Sequence, residues 1–264
     1  MTLPSVFVSH GAPTLVLQDA PARHFLAALG QRLPRPRAIL CVTAHWETGH
    51  PAAGGAAHPE TIHDFGRFDD RLFQIRYGAP GDPTLAARAV EMVNKAGLDG
   101  AVSPAHGLDH GVWVPLMLMY PDADIPVVPF SVQPHLGPAH HLKIGQALAG
   151  LRDEDVLILG SGSYTHDLSR FRGRALESAT PADVAAFANW FDAALMEGRT
   201  ADLLNYRTLA PHAEENHPTE EHLLPLYVAL GAGGPGAKVT HLHASATYGV
   251  LRMDAYGFGL SARQ

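Results

Sequence analysis

The sequence predicts an α/β fold: one domain over residues 1–264, with a mainly parallel central sheet flanked by helices and antiparallel strands near the C-terminus. Three observations support this. Short apolar runs rich in β-branched residues alternate with longer stretches of helical spacing. The runs lack polar alternation, as strands covered on both faces do. No internal repeat, low-complexity tract or long linker divides the chain, and its Pro/Gly clusters (78–84, 232–237) are loop-sized.

The first strand is expected over 4–9, ending on Ser9-His10-Gly11, and a helix follows over 21–33. A second strand covers 38–44, a helix 83–97, a third strand 125–131, a helix 137–151, a fourth strand 155–160 and a helix 182–197. Gly, Pro or Asp bounds each strand. The segment ENHPTEEHLLPLYVALG reads as a helix with Thr219 as N-cap, Glu220 and Glu221 in its first turn, and a kink or irregularity at Pro225. The final segment, AKVTHLHASATYGVLRMDAYGF, reads as two strands, 237–243 and 247–258, extending or closing the sheet antiparallel.

Composition narrows the function. With 46% hydrophobic and 17% charged residues the chain can bury a sizeable core. Twenty-six acidic against 19 basic residues, a net charge of -7, and no lysine-rich stripe argue against nucleic acid or an anionic membrane as partner. The longest uncharged apolar stretch, GVWVPLMLMYP, is too short to span a bilayer, and no basic segment precedes a long apolar one at the N-terminus, so a cytoplasmic location is expected. The single cysteine, Cys41, lies inside an apolar run and is expected as a buried thiol. The unusual feature is 17 histidines against lysine only at Lys95, Lys143 and Lys238, a bias towards metal or proton chemistry.

Three of those histidines, His10, His45 and His166, fall just past the ends of expected strands. In an open α/β sheet the crevice beyond the strands' carboxyl ends is where loops carry chemistry on a rigid frame. Neutral imidazole is the commonest metal ligand, and three or four nitrogen ligands with an open position suit zinc or non-haem Fe(II). His222 is a fourth candidate, with Glu220 or Glu221 as a carboxylate alternative beside it. His110 follows Asp109, which is placed to cap the next helix or to orient the imidazole. His63, near Phe65 and Phe68, reads as a packed loop residue, and His135, His140 and His141 are left without a role.

In this order and at these intervals, SHGAP, TAHWET, HDFGRF, DHGVW, SGSYTHDL and PTEEHLLPL resemble the DOPA 4,5-dioxygenase-like family of class III extradiol ring-cleavage dioxygenases, over essentially the whole chain. The resemblance implies a metal-dependent enzyme that inserts both atoms of O2 into a catechol-type small molecule, using Fe(II), with zinc possible in the same site. It implies His10, His45 and His222 as metal ligands, His166 as a fourth neighbour of the metal or the acid/base, and His110 near the substrate and oxygen. One departure is Arg67 in HDFGRF, where the family usually has a second glycine. Two rivals are a zinc hydrolase on the same scaffold and a non-catalytic metal or aromatic-ligand binding protein. The pattern leaves open the particular catechol, iron against zinc, and the oligomeric state.

Overall fold

The computed structural model describes residues 2–260, and the four apolar runs lie side by side at its centre. In chain order the first half contains β1 (Ser5–Ser9), α1 (Pro21–Arg32), β2 (Ala38–Glu47), β3 (Ala52–Gly54), α2 (Pro83–Lys95), β4 (Ala101–Ser103) and α3 (His110–Met119). There follow β5 (Val127–Val132), α4 (Gly137–Leu148), β6 (Val156–Gly162), α5 (Ala182–Met196), three short helices α6 (Thr200–Leu204), α7 (Tyr206–Leu209) and α8 (Ala213–Asn216), and α9 (Leu224–Gly233). Strands β7 (Val239–His243), β8 (Ala246–Thr247), β9 (Leu251–Arg252) and β10 (Ala255–Phe258) close the described chain.

The main sheet has eight strands in the order β4-β3-β5-β2-β6-β1-β10-β7. Its centre, β5-β2-β6-β1, is parallel throughout. Beyond β1 the C-terminal strands β10 and β7 add antiparallel, as the sequence led us to expect. Every residue of β1, β5 and β6 is buried, because helices cover both faces of the sheet. Successive side chains then point to opposite layers. Phe7, Leu40 and Val42 enter the core with α2, α4, α5 and α9, whereas Val6, Val8, Ile39 and Cys41 enter the one with α1 and α3.

This wiring creates the crevice. The connection from β1 to β2 passes through α1 on one face, and that from β5 to β6 passes through α4 on the other. Around β6 the exits therefore diverge, leaving open space at the carboxyl ends of β1, β2 and β6.

Three boundaries differ from expectation for physical reasons. The 247–258 strand is broken into β8, β9 and β10, because Tyr248 and Gly249 adopt positive φ (56° and 71°) and turn the chain into a small hairpin. The helix expected from Thr219 starts at Leu224, with Pro225 in its first turn. Proline suits that position, where its missing N–H has no helical partner to lose, and Thr219 to Leu223 form the turn before it. Helix α3 was not marked by periodicity because it is buried almost all round, which removes the apolar stripe.

Candidate active site

Each of the three strands positions a histidine by a different local device. His10 continues the β1 ladder for one more bond, its N–H donating to Gly162 O at 2.9 Å, and Gly11 turns the chain away at φ 66°. His45 sits within β2, where the register against β5 shifts between Val42 and Glu47. Its N–H donates to Thr43 Oγ1 at 3.2 Å, and that hydroxyl donates to Asp109 Oδ1 at 2.6 Å, fixing the irregular stretch from the start of α3. At the end of β6, Gly162 decides where His222 lies. A Cβ at Gly162 would stand 2.0 Å from His222 O. With hydrogen there instead, that carbonyl packs on the strand end and accepts from Ser163 N–H at 2.9 Å. Beyond β6, the His166 N–H donates to Asn216 O at 2.8 Å.

The imidazoles converge. His45 Nε2 lies 3.0 Å from His10 Nε2 and 3.2 Å from His222 Nε2, and one ligand nitrogen from each ring falls within 4.8 Å of the others. Their other nitrogens have partners. Ser161 Oγ donates to Gly111 O, so at 3.0 Å from His10 Nδ1 it acts as acceptor. His222 Nδ1 donates to Glu221 Oε1 at 2.9 Å, and His45 Nδ1 lies 3.3 Å from Asp64 Oδ2. These outward partners place the proton on Nδ1 and aim the Nε2 lone pairs at one another.

Lone pairs at this spacing repel unless a cation lies among them. Nitrogens bound at about 2.1 Å and subtending about 90° at one ion stand about 3.0 Å apart, close to the separations seen. Each ring also has the hydrogen-bond or charge partner that usually orients a metal-ligating histidine. The three residues therefore fit a metal ion. Glu221 Oε1 accepts from His222 and from Thr219 Oγ1, the latter at 3.0 Å, so this oxygen is already engaged beside the triad.

Electrostatics point the same way. Burial, followed by the neighbouring histidines, holds His10 and His222 well below the usual imidazole range. Burial and then His110 lower His45 to about 4, against smaller opposing effects from Asp109 and Asp64. These rings are neutral at pH 7, as metal ligation requires. For Asp64, burial acts to raise the carboxyl, but hydrogen bonds from the His110 side chain and backbone, with His45 nearby, outweigh it and hold Asp64 at about 2.

Two further histidines flank the triad. His110 starts α3, and both its N–H and its Nδ1 lie 2.9 Å from Asp64, contacting Oδ1 and Oδ2 respectively. Asp64, which sequence reasoning passed over, thus performs both tasks assigned to Asp109, whose side chain instead accepts from Thr43. The two residues are 46 apart in the chain, and nothing but the HDFG motif itself marked Asp64 beforehand. His166 stacks on His222, with centroids 3.3 Å apart and planes at 13°, and its nearest ligand grouping is with Glu221 and His222, not with His10 and His45.

A cavity of about 350 Å³ opens over these rings, walled by Phe65, Phe68, Leu168, Phe171 and Leu251. Its size suits a single aromatic ring with a substituent. His63 lies outside it, with Nε2 3.1 Å from Ile75 O and the ring near Phe65, Phe73 and Trp113, as a packed loop residue. Arg67 is exposed and does not line the cavity, although Gly66 and Phe68 on either side do.

The family model for the catalytic LigB subunit of aromatic ring-opening dioxygenase matches residues 4–258. This chain belongs to the LigB family. A 4,5-DOPA dioxygenase extradiol of Beta vulgaris is 43% identical over 256 residues, covering 96% of this chain and 95% of the relative. Its namesake in Escherichia coli K12 is 39% identical over 235 residues, covering 87% and 85%. A crystal structure of an uncharacterized protein from Escherichia coli K12 matches with a TM-score of 0.82 and 33% identity, covering 97% of this chain and all 100% of that one. This LigB chain is accordingly an extradiol ring-cleaving dioxygenase acting on a small aromatic substrate with O2. The hydrolase alternative gains nothing from the site, since both carboxylates nearest the histidines, Asp64 and Glu221, are engaged by imidazoles rather than free to activate water. Among the described residues, no helix is long and apolar enough to cross a membrane.

Proposed function

We propose that His10, His45 and His222 hold one non-haem Fe(II), that zinc can occupy the same nitrogens, and that the substrate is a catechol with a side chain of the kind named for the DOPA dioxygenase relatives. The observation that carries this reading is the convergence of the three Nε2 atoms, with 3.0 and 3.2 Å separations, at the floor of an aromatic-walled cavity. The bound ion would supply Lewis acidity to the catechol oxygens and hold O2 beside them. Overall, both atoms of O2 enter the product and one ring C–C bond beside a hydroxyl-bearing carbon breaks, leaving a carboxyl group at one new end and an aldehyde at the other, a semialdehyde.

The chain's own residues supply orientation and proton transfer. Phe65 and Phe68 border the space for the ring. His166 is kept neutral by burial, then by His217, at about 3, so at pH 7 it enters the reaction with a free lone pair for the second hydroxyl proton. Glu221 Oε1, 4.0 Å from His166 Nδ1, offsets the charge gained, and the proton is later returned to a leaving oxygen. His110, its Nδ1–H donating to Asp64, is held by that contact at the cavity lining beside the triad, next to the space for substrate and oxygen. The cytoplasmic setting expected from the sequence is kept in this proposal.

Oxygen uptake by Fe(II)-reconstituted protein, across a catechol panel with the yellow semialdehyde followed by absorbance, tests the reading. Stoichiometric O2 consumption and colour are expected with DOPA-type catechols and not under anaerobic conditions. Colour without O2 uptake, or neither with any catechol, would refute it.

A further inference from the structure

Resting on that catechol reading, we propose that Arg172 is a specificity-determining residue, which selects catechols whose ring substituent ends in a carboxylate. The cavity is apolar along its sides and imidazole-lined at its floor, and Arg172 is the one guanidinium among its described lining residues. The only carboxylate among them is Asp64, which His110 and His45 already engage. A positive charge therefore borders the substrate space with no carboxylate partner among the described residues.

Neighbouring arginines are treated differently by the fold. Arg170 is held by Asp183 through contacts of 2.5 and 3.1 Å. Arg172, exposed, makes no ion pair with a carboxylate among the described residues. Its backbone is nonetheless placed. Asp167 caps the turn before it by accepting from Ser169 N–H at 2.9 Å, and Phe171 packs edge-on against Tyr248 with centroids 4.3 Å apart. Tyr248 OH in turn accepts from Gln18 Nε2 at 2.6 Å. Gly173 then turns the chain at φ 79°, so the segment runs along the cavity wall and departs immediately after the arginine.

A planar guanidinium pairs well with a carboxylate through two parallel N–H donors, repels an ammonium group, and gains little from an amide. A catechol ring gripped at the floor would direct its substituent towards the walls, where this charge lies.

The test is anaerobic calorimetric titration of the Fe(II)-loaded protein with 3-(3,4-dihydroxyphenyl)propionate, its primary amide and dopamine, followed by KM and kcat for each. The wild type should bind the acid about tenfold more tightly than the amide, with dopamine weakest. Arg172→Gln should erase the preference through KM, leaving binding of the amide unchanged. Arg172→Lys should retain part of it, Arg172→Glu should favour dopamine, and Arg67→Gln should leave it intact. Equal wild-type affinity for acid and amide, or equal losses for both in Arg172→Gln, would overturn the assignment. Preferential binding of the acid without its cleavage would sustain the role of Arg172 while removing the ring-cleavage reading.

Discussion

Substituting Gly162→Ala isolates the contact that places His222, the third ligand proposed for the metal. The added methyl would lie 2.0 Å from His222 O, 3.1 Å from its carbonyl carbon and 3.4 Å from Phe7 Cε2. Two of these are backbone atoms that cannot rotate aside, so the chain at His222 must retreat by about 1 Å or more, whereas metal–ligand distances tolerate only about 0.2 Å. Overpacking of this kind costs about 1–3 kcal/mol of stability, and affinity for Fe(II) or zinc should fall about 100-fold, the upper end of what disturbed ligand support produces. Gly30→Ala is the control. Its methyl would stand 2.0 Å from Met119 O, an equally close clash between α1 and α3 away from the histidines. Urea unfolding should show both variants destabilised to a similar extent, and a competitive metal titration should show only Gly162→Ala weakened. Metal affinity within threefold of wild type in Gly162→Ala, at comparable loss of stability, would refute the idea that this glycine sets the ligand geometry.

Other perturbations address the remaining parts of the site. His166→Ala and His110→Ala should keep the metal and lower turnover by about 10²–10⁴, whereas His10→Ala, His45→Ala or His222→Ala should release it; metal analysis beside steady-state rates separates the classes, and normal turnover by His166→Ala would contradict its role. Asp64→Asn cannot accept from both imidazoles and the His110 N–H at once, so kcat should drop about 10- to 100-fold with substrate KM little changed; an unaltered kcat would show that the Asp64 contacts are dispensable. Acid should destabilise the fold: burial keeps His141 at about 3 and His217 at about 4, despite the hydrogen bonds from their rings to Gly137 O and Tyr164 O. Both groups stay neutral in the fold while the unfolded chain, with pKa about 6.5, takes up protons as pH falls, so their stabilising effect is complete above about pH 6.5 and declines below it by about 1.4 kcal/mol per pH unit per residue. Unfolding free energies at pH 7.5, 6.5, 5.5 and 4.5 that showed no decline would contradict this.

The fold was readable where one physical signal acted alone. Parallel strands buried on both faces are apolar throughout, and β1, β2, β5 and β6 were found within a few residues of their ends. The location of His10 and His166 past strand ends followed from the same runs, while His45 proved to lie inside β2, because the strand continues through its register shift to Glu47. His222 reaches the site by tertiary packing on Gly162, which no local period records, so it stood only as a fourth candidate until the ordered motifs grouped it with His10 and His45. Asp64 and Ser161 escaped for a related reason: each orients a histidine far away in the chain. Thr219 was misread as a helix cap because the cap-like spelling PTEE precedes a turn, and the helix waits until Leu224, just before Pro225.

Anomalous diffraction at the iron edge from crystals of the Fe(II)-loaded protein would address the metal centre most directly. A single peak within bonding distance of Nε2 of His10, His45 and His222, with Glu221 still on His222 Nδ1, is the expected result. An ion ligated by Glu221 in place of His222, or lying away from these three rings, would contradict it.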